Sequence, residues 1–384
     1  MPVWKGQLMN FKQVIKTILF LGIFGVILYF LCDIFEQPNN YMAKGYETYK
    51  NFEEDTIDAV FIGTSGVNRD WISVGGYDMY GYTVATLSTD ALPCWQTLDM
   101  IKEAFRFQNP KLVILDMRMF TKSDPSNYPE LSKTRSRRAI DVMDFFSPNR
   151  IHAIKRTLDV LSEFDENTTK WDPSLFFSFI QYHNRWSDDD FDLLEEIGSE
   201  EATYLGFYLS TTNSIKAVKQ DKPKWRKSSS PLPDVALESL NEIVEYCNEK
   251  GVELLFVDTP HILRVGDSKR NNELCRILDE RGLKYINYST KEWFLTASER
   301  GNEYLEATKF DRKNHFYDRS HLNFDGAVVF TRVFAKYLSE NYDLADHRGD
   351  SRCSEWEGKY EELKQKIERW REKAEDDLLE DETD

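Results

Sequence analysis

Apolar residues along the chain fall into short continuous runs that alternate with segments of helical periodicity. Five runs have almost no polar interruption, which is typical of strands covered on both faces. These runs are IDAVFIG, YTVATLS, KLVILDM, GVELLFVD and LKYINY. Helical spacing is found in WQTLDMIKEAFRF, PDVALESLNEIVEYCNEKG, NNELCRILDERG and NFDGAVVFTRVFAKYLSENY. The alternation predicts an α/β fold in which right-handed βαβ units build a doubly wound, parallel five-stranded sheet.

A long insertion, residues 120–233, separates the third and fourth predicted strands. It is far longer than an ordinary connection between a strand and a helix, so it must carry structure of its own. The segments IHAIKRTLDVLSEF and SLFFSFIQYHNRW have helical spacing and many aromatic residues, and they predict a helical cap. The polar stretch KQDKPKWRKSSSPLPD is predicted to be flexible.

The N-terminus carries an apolar stretch, residues 14–35, without a charge between Lys16 and Asp33. Its length suits a helix that crosses a bilayer. A signal peptide is the alternative, but no small-x-small cleavage site follows, which favours a retained transmembrane anchor. Lysines precede the span and acids follow it, so residues 1–13 are expected in the cytoplasm and everything after Phe35 outside the cell membrane.

Three further segments complete the predicted organisation. Residues 36–54 form a polar connector, and residues 55–345 form the α/β domain with its insertion. Residues 346–384 form a charged helix with an acidic tail. Apolar residues in this last segment recur every three or four positions, which fits either a surface helix or a coiled coil that binds a partner.

Charge and cysteine content narrow the function classes. The 384 residues include 49 basic and 66 acidic side chains, for a net charge of −17. This sign opposes nucleic-acid binding, which depends on neutralising phosphates. Cys247 and Cys275 could pair or remain free thiols. The histidines and cysteines show no familiar metal-binding spacing, so neither a metal nor a cofactor is predicted.

Two short motifs carry candidate chemistry. VFIGTSGVNRDW includes the end of the first predicted strand and then Ser65, and FYDRSHLNFDGA lies just before the last helix and contains Asp318 and His321. A serine hydroxyl becomes a useful nucleophile when a histidine takes its proton and a carboxylate orients that histidine. Because a doubly wound sheet can bring both motifs to one edge, we predict that these three residues form a catalytic triad.

These motifs resemble the SGNH/GDSL hydrolase superfamily, with IGTSGVNRDW similar to its first block and DRSHLN to its Asp-x-x-His block. The resemblance spans about residues 57–119 and 250–340. The single N-terminal span, DAVFIGTS, VDTP and HLNFDGAVVFTRVFAKYL make the chain most similar to the membrane-anchored, DltD-like bacterial branch. The resemblance implies a flavodoxin-like SGNH fold, with Ser65 as nucleophile, His321 as general base and Asp318 as its orienting acid.

The two middle blocks of the superfamily are altered. Ser88, Thr89 and Asp90 stand where the second block supplies a glycine N–H to the oxyanion, and Arg118 stands in place of the third block's Gly-x-Asn-Asp. Candidate oxyanion donors are therefore the N–H groups of Ser65 and of Ser88 or Thr89. Arg118 is either a charged donor or a partner of a nearby carboxylate such as Asp116.

The predicted cap contains a cluster of His183, Arg185 and Trp186, and the resemblance to anchored relatives suggests that it contacts substrate. Arg185 could hold an anionic group of a polymer, and Trp186 could stack on a sugar. The alternative is an aromatic helix face that packs against the sheet, with Arg185 capping carbonyl groups.

The resemblance implies a membrane-anchored, extracytoplasmic serine esterase or acyltransferase acting on O-acyl groups of a cell-envelope polysaccharide or teichoic acid. The triad does not distinguish hydrolysis from transfer. The alternative is a non-catalytic assembly subunit that keeps the fold and partners a membrane-bound O-acyltransferase.

Overall fold

The computed structural model describes most of the chain and divides it into two compact units. The described residues are 11–35, 41–126, 129–164, 171–187, 205–208, 210, 214–296 and 308–381. The smaller unit is formed by Met1–Asn40 and Trp171–Glu200, and the larger by Tyr41–Lys170 and Glu201–Asp384. The larger unit contains the predicted α/β domain except for residues 171–200 of its insertion.

The five predicted strands are present and form one parallel sheet. They are β1 (Ala59–Gly63), β2 (Val84–Ser88), β3 (Leu112–Asp116), β4 (Glu253–Asp258) and β5 (Tyr285–Asn287). Their order is β2-β1-β3-β4-β5. The residues of β1, β2 and β3 are all buried, as their continuous apolar runs predict. β1 lies between β2 and β3, so the connection after β1 runs to one side of the sheet and the later connections run to the other. Such folds place their binding sites at this change of direction, at the carboxyl ends of the strands.

Helices cover the sheet and form the smaller unit. They are α1 (Phe11–Ile34), α2 (Tyr41–Asn51), α3 (Ser65–Asp70), α4 (Ser73–Tyr80), α5 (Cys94–Ala104), α6 (Arg118–Lys122), α7 (Pro129–Asp141), α8 (Pro148–Ser162), α9 (Pro173–Phe176), α10 (Ser178–Tyr182), α11 (Asp234–Lys250), α12 (Val265–Glu280), α13 (Phe324–Asn341) and α14 (Lys359–Asp381). Helix α11 ends at Gly251, whose φ of +66° is the left-handed conformation that glycine adopts readily. Helix α13 packs Phe334 against Phe61 and Trp71, with ring centroids 5.7 and 5.3 Å away.

The predicted helical insertion is divided between the two units. Helices α7 and α8 belong to the larger unit, whereas α9 and α10 belong to the smaller one. The sequence predicts one helix over SLFFSFIQYHNRW, but Phe177 is extended, with φ −119° and ψ 100°, and separates α9 from α10. Residues 165–170 and 188–204 lie outside the described part of the insertion.

The stretch predicted to be flexible is instead held to the α/β domain by hydrogen bonds. The N–H of Lys224 donates to the carbonyl of Leu263 at 2.8 Å. The indole N–H of Trp225 donates to the carbonyl of Ser289, also at 2.8 Å. Its many polar residues therefore reflect a solvated surface rather than freedom to move.

The predicted polar connector contains helix α2. Met42, Tyr46 and Tyr49 of this helix are buried. The Tyr49 hydroxyl donates to the carbonyl of Ala104 at 3.0 Å. Sequence analysis missed this helix because its apolar face is made of tyrosines, whose rings are apolar although each carries a hydroxyl.

Helix α1 of the smaller unit contains the apolar stretch Phe11–Cys32, which is long and apolar enough to cross a membrane. It is compatible with a single-pass anchor or a signal sequence. The carbonyl of Cys32 accepts a hydrogen bond from the hydroxyl of Ser178 at 2.7 Å, within the same unit. The first ten residues, predicted to be cytoplasmic, lie outside the described part of the chain.

The C-terminal helix packs on the larger unit, as expected for a surface helix. Leu363 and Ile367 are buried, and Trp356, just before the helix, stacks on Phe52 with ring centroids 5.4 Å apart. The final residues of the predicted acidic tail, 382–384, lie outside the described chain. The open question about Cys247 and Cys275 resolves as two free thiols.

Candidate active site

Ser65 follows the carboxyl end of β1 at a turn that other residues hold tightly. Thr64 caps α3, and its backbone N–H donates to Asp116 Oδ2 at 3.1 Å while its hydroxyl donates to the same oxygen. A Cβ on Gly63 would collide with the side chains of Asp116 and Val67. The small residues after the strand therefore let β3 approach closely and fix Ser65 at the sheet edge.

His321 lies in a turn whose shape is set by Asp318. The Asp318 carboxylate accepts the backbone N–H groups of Ser320 and His321 at 2.6 and 2.9 Å. The same carboxylate lies 3.0 and 2.9 Å from His321 Nδ1 through its two oxygens. A carboxylate accepts only, so Nδ1 carries the proton and Nε2 keeps its lone pair.

The structure brings the two motifs together, although 256 positions separate their serine and histidine. The Ser65 hydroxyl lies 2.8 Å from His321 Nε2. This distance lies within the range of about 2.6 to 3.2 Å that proton transfer requires. With Nε2 unprotonated, the hydroxyl donates to the imidazole, which is the arrangement expected of a nucleophile and its base.

Electrostatics keep this pair ready to react near neutral pH. Burial lowers the pKa of His321 most, and the positive charges of Arg69 and Arg118 lower it further, against the opposing effect of Asp318. Burial alone would raise the pKa of Asp318, but the hydrogen bond and charge of His321 outweigh it and hold that pKa below its ordinary value. His321 is therefore neutral, and Asp318 ionised, at neutral pH.

The low pKa of His321 predicts the acid limb of the pH–activity profile. Since only neutral His321 accepts the serine proton, kcat/KM for an ester should fall on acidification with a midpoint below the ordinary histidine value of 6.5. Replacing Arg69, whose guanidinium stacks 4.8 Å from the Tyr208 ring, by glutamine should raise that midpoint. The exposed Arg276→Gln serves as control and should leave it unchanged. A midpoint that does not respond to Arg69→Gln would contradict the assignment of the limb to His321.

Ser65 and His321 open into a cavity of about 210 Å³. Its wall includes Ala91, which adopts a left-handed backbone conformation with φ +56° although it is not glycine. The wall also includes Lys122 and Arg135, and neither forms an ion pair with the residues that the structure describes. The wall also includes Asp124, whose carboxylate pairs with Arg270 at 2.9 Å, so cations outnumber acids along the cavity in a chain of net charge −17. Sequence analysis missed these three residues, because no glycine marks Ala91 and the two cations lie among other charged residues.

The candidate oxyanion donors have different outcomes. The N–H of Ser65 lies in the first turn of α3, where no carbonyl four residues earlier in the helix can accept it. The N–H of Thr89 donates to the carbonyl of Gly63 at 3.1 Å and is thus engaged in holding the strand end. Ser88 pairs with Gly63 within the sheet and lines a different cavity. Thr89 is therefore wrong as a donor, and the cavity gives Ser88 no support.

Arg118 is buried and lines the same cavity as Ser65 and His321, so its role as a charged donor stays a prediction. Its Nη1 donates to the carbonyl of Ser320 at 2.8 Å, and its Nη2 donates to the Thr259 hydroxyl. It forms ion pairs with Asp70 and Asp116, both at 3.4 Å. The interpretation of Arg118 as a partner of Asp116 is thus confirmed, and the guanidinium holds the residue beside His321 in place.

Gly66 and Asp70 complete this support. A Cβ on Gly66 would occupy the place of the Arg118 guanidinium, so glycine leaves room for the cation. The Asp70 carboxylate accepts the N–H of Leu322 at 3.0 Å and the hydroxyl of Thr259 at 2.7 Å. The first motif is thereby bound directly to the loop that carries the histidine.

The predicted cap cluster lies in the smaller unit, in the 3₁₀ helix His183–Ser187. His183 is exposed, and its Nδ1 lies 3.0 Å from the carbonyl of Ile180. The side chains of Arg185 and Trp186 lie outside the described residues. Substrate contact by these three residues stays a prediction.

Two solved structures are similar to the chain over most of its length. A candidate acylhydrolase from Bacteroides fragilis has 9% identity and a TM-score of 0.36, with 79% of this chain and 99% of that one covered. A GDSL-like lipase from Bacteroides thetaiotaomicron has 8% identity and a TM-score of 0.32, with 77% and 91% covered. No protein-family model and no curated protein matches the sequence. Likeness at this level concerns broad architecture, so the functional argument rests on the site itself.

Proposed function

We propose that this protein is a membrane-anchored serine esterase or acyltransferase that acts on O-acyl groups of an anionic cell-envelope polymer. The observation that supports the proposal most is the hydrogen-bonded series from Ser65 through His321 to Asp318, with distances of 2.8 and 2.9 Å. With Nδ1 donating to Asp318 and Nε2 accepting from Ser65, this series has the connections that acyl transfer needs. The neighbouring cavity provides a place for the ester.

In the proposed reaction, the Ser65 hydroxyl attacks the ester carbonyl as His321 Nε2 takes its proton. The carbon–oxygen bond to the polymer then breaks, and His321 returns the proton to the leaving alkoxide, which leaves an acyl group on Ser65. Water or a second hydroxyl attacks this acyl-enzyme with the same base, so hydrolysis and transfer differ only in the acceptor. Asp318 stabilises the imidazolium formed in each half of the reaction.

The tetrahedral intermediate needs hydrogen-bond donors beside Ser65. The backbone N–H of Ser65 is the first that we propose. Ala91 is proposed to provide the second, because it lines the same cavity and its turn, closed by the N–H of Leu92 donating to the carbonyl of Thr89 at 3.1 Å, imposes a left-handed conformation. Uncommon backbone conformations of this kind are found at functional sites.

The charge of the cavity supports an anionic polymer as substrate. Lys122 and Arg135 present positive charge beside the reacting serine, where a phosphate or carboxylate of the polymer would pair with them. A teichoic acid or an acidic polysaccharide has such groups near its acylated hydroxyls. The apolar helix α1, if retained, would keep enzyme and polymer within one thin layer and raise their effective concentration.

Labelling with a fluorophosphonate tests the catalytic proposal. The full-length protein in detergent should become covalently phosphonylated at Ser65, because the probe reports a serine whose hydroxyl is activated by a base. Label should be lost in Ser65→Ala and in His321→Ala, as read by intact mass and by fluorescence in a gel.

Ser339→Ala is the control, since Ser339 is an exposed serine of α13 whose hydroxyl donates to the carbonyl of Lys336. It should label like the wild type. A folded wild-type protein that takes up no probe would contradict the enzyme proposal and favour the non-catalytic assembly subunit.

A further inference from the structure

A second cluster of reactive side chains lies away from Ser65. His347, Asp350 and Cys353 each present a ligand atom, and these atoms all lie within 4.8 Å of one another. Two consecutive turns produce the cluster. The N–H of Asp350 donates to the carbonyl of His347 at 3.0 Å, and the N–H of Cys353 donates to the carbonyl of Asp350 at 2.9 Å. A spacing of three residues thus places the three side chains together.

The histidine of this cluster is oriented by a buried carboxylate. His347 Nε2 lies 2.9 Å from Asp58 Oδ2, and Asp58 is 5% exposed. The N–H of Thr83 donates to the same carboxylate at 3.1 Å. Because a carboxylate only accepts, Nε2 carries the proton and Nδ1 keeps a lone pair. Metal-binding histidines in proteins usually donate their other N–H to a carboxylate, a backbone carbonyl or water, and Asp58 would fill this role here.

The donor types point to one metal. The set offers a sulfur from Cys353, a nitrogen from His347 and an oxygen from Asp350, and zinc accepts all three. A hard ion such as Mg²⁺ or Ca²⁺ prefers oxygen ligands alone. Tetrahedral zinc separates its ligand atoms by about 3.5 Å. The ligand atoms would therefore have to move about 1 Å closer to one another to bind zinc, and water would supply the fourth ligand.

We propose that His347, Asp350 and Cys353 bind a zinc ion within the C-terminal segment, beside the amino end of β1. Asp58 immediately precedes β1, whereas Ser65 follows its other end, so this site is separate from the proposed catalytic one. Asp350 now pairs with Arg352 at 2.7 Å, and both side chains reach solvent, so the carboxylate can exchange this partner for the ion.

Metal analysis and cobalt substitution of the full-length protein in detergent test this proposal. The protein purified with zinc in the medium should hold about one zinc ion per chain, and removal of the zinc should lower the thermal unfolding temperature. Co²⁺ added to the metal-free protein should produce the absorption of a thiolate-bound cobalt ion. Cys353→Ser should abolish that absorption, and Asp58→Asn should weaken metal affinity by about 10- to 100-fold.

Cys275→Ser is the matched control, because Cys275 is another free thiol outside the cluster. It should keep the zinc content and the cobalt spectrum of the wild type. A wild-type protein without thiolate–cobalt absorption would overturn the proposal, whatever the variants do. The same holds if the absorption persists in Cys353→Ser. Neither result depends on esterase activity, so failure here is distinguishable from failure of the proposed function.

Discussion

Replacing Ser65 by alanine is expected to lower kcat for ester hydrolysis by a factor on the order of 10⁴ to 10⁶. The hydroxyl 2.8 Å from His321 Nε2 is the atom proposed to bond to the acyl carbon, and alanine has no atom that can replace it. The remaining activity would come from the cavity and its backbone donors alone. Steady-state hydrolysis of p-nitrophenyl acetate by the full-length protein in detergent measures the effect.

The combined variant gives the sharper test. Ser65→Ala and His321→Ala should each lower kcat nearly as much as the two substitutions together, because the base and the nucleophile act only as a pair. Ser339→Ala should retain wild-type kcat. A shared catalytic role would be contradicted if the two losses in kcat multiplied in the double variant. It would also be contradicted if Ser65→Ala kept a kcat within tenfold of wild type.

Strands β1, β2 and β3 could be predicted because burial on both faces leaves a simple signature. Each strand of a covered parallel sheet is apolar throughout, and turn residues bound it. The break at Phe177 could not be predicted, because SLFFSFIQYHNRW keeps helical spacing across it. Its cause is the backbone conformation of one residue, which aromatic spacing does not encode.

The meeting of Ser65 and His321 could be predicted from topology, since both motifs follow or precede elements that share one sheet edge. The buried contacts that hold the two motifs together could not be predicted. Arg118 was left open between two roles because its partners Asp70 and Thr259 lie far from it in the chain, and only the fold brings them together. Ala91 was missed because its conformation is imposed by a turn and not by its residue type.

The cluster at residues 347–353 could not be predicted from the sequence for a similar reason. Its spacing, His-x-x-Asp-x-x-Cys, matches no familiar zinc motif. The observation that gives it meaning is Asp58, which lies 289 positions away and holds the histidine nitrogen. Long-range partners of single side chains are the part of a site that local patterns do not contain.

Arg118→Met is expected to lower the free energy of unfolding by about 3 to 5 kcal/mol, the usual cost of removing one partner from a buried ion pair. Methionine fills much of the same space, so the loss is chiefly electrostatic. Asp70 and Asp116 would remain buried without their cation, and the carbonyl of Ser320 would lose its donor. Thermal or denaturant unfolding of the full-length protein measures the change, and Arg276→Met, at an exposed arginine, should change stability little.

The pH dependence of this destabilisation identifies its cause. Burial raises the pKa of Asp70 to about 7, and Arg118 opposes that rise, so the variant should raise the pKa further. An acid whose pKa is higher in the folded state stabilises the fold at low pH, and this contribution is lost as the pH rises through the folded-state pKa. The difference in the free energy of unfolding between wild type and variant should therefore be smaller at a pH of about 5 than at a pH of about 8. Adding Asp70→Asn should recover part of the lost stability and weaken the pH dependence, whereas a loss that is the same at both pH values would attribute it to packing.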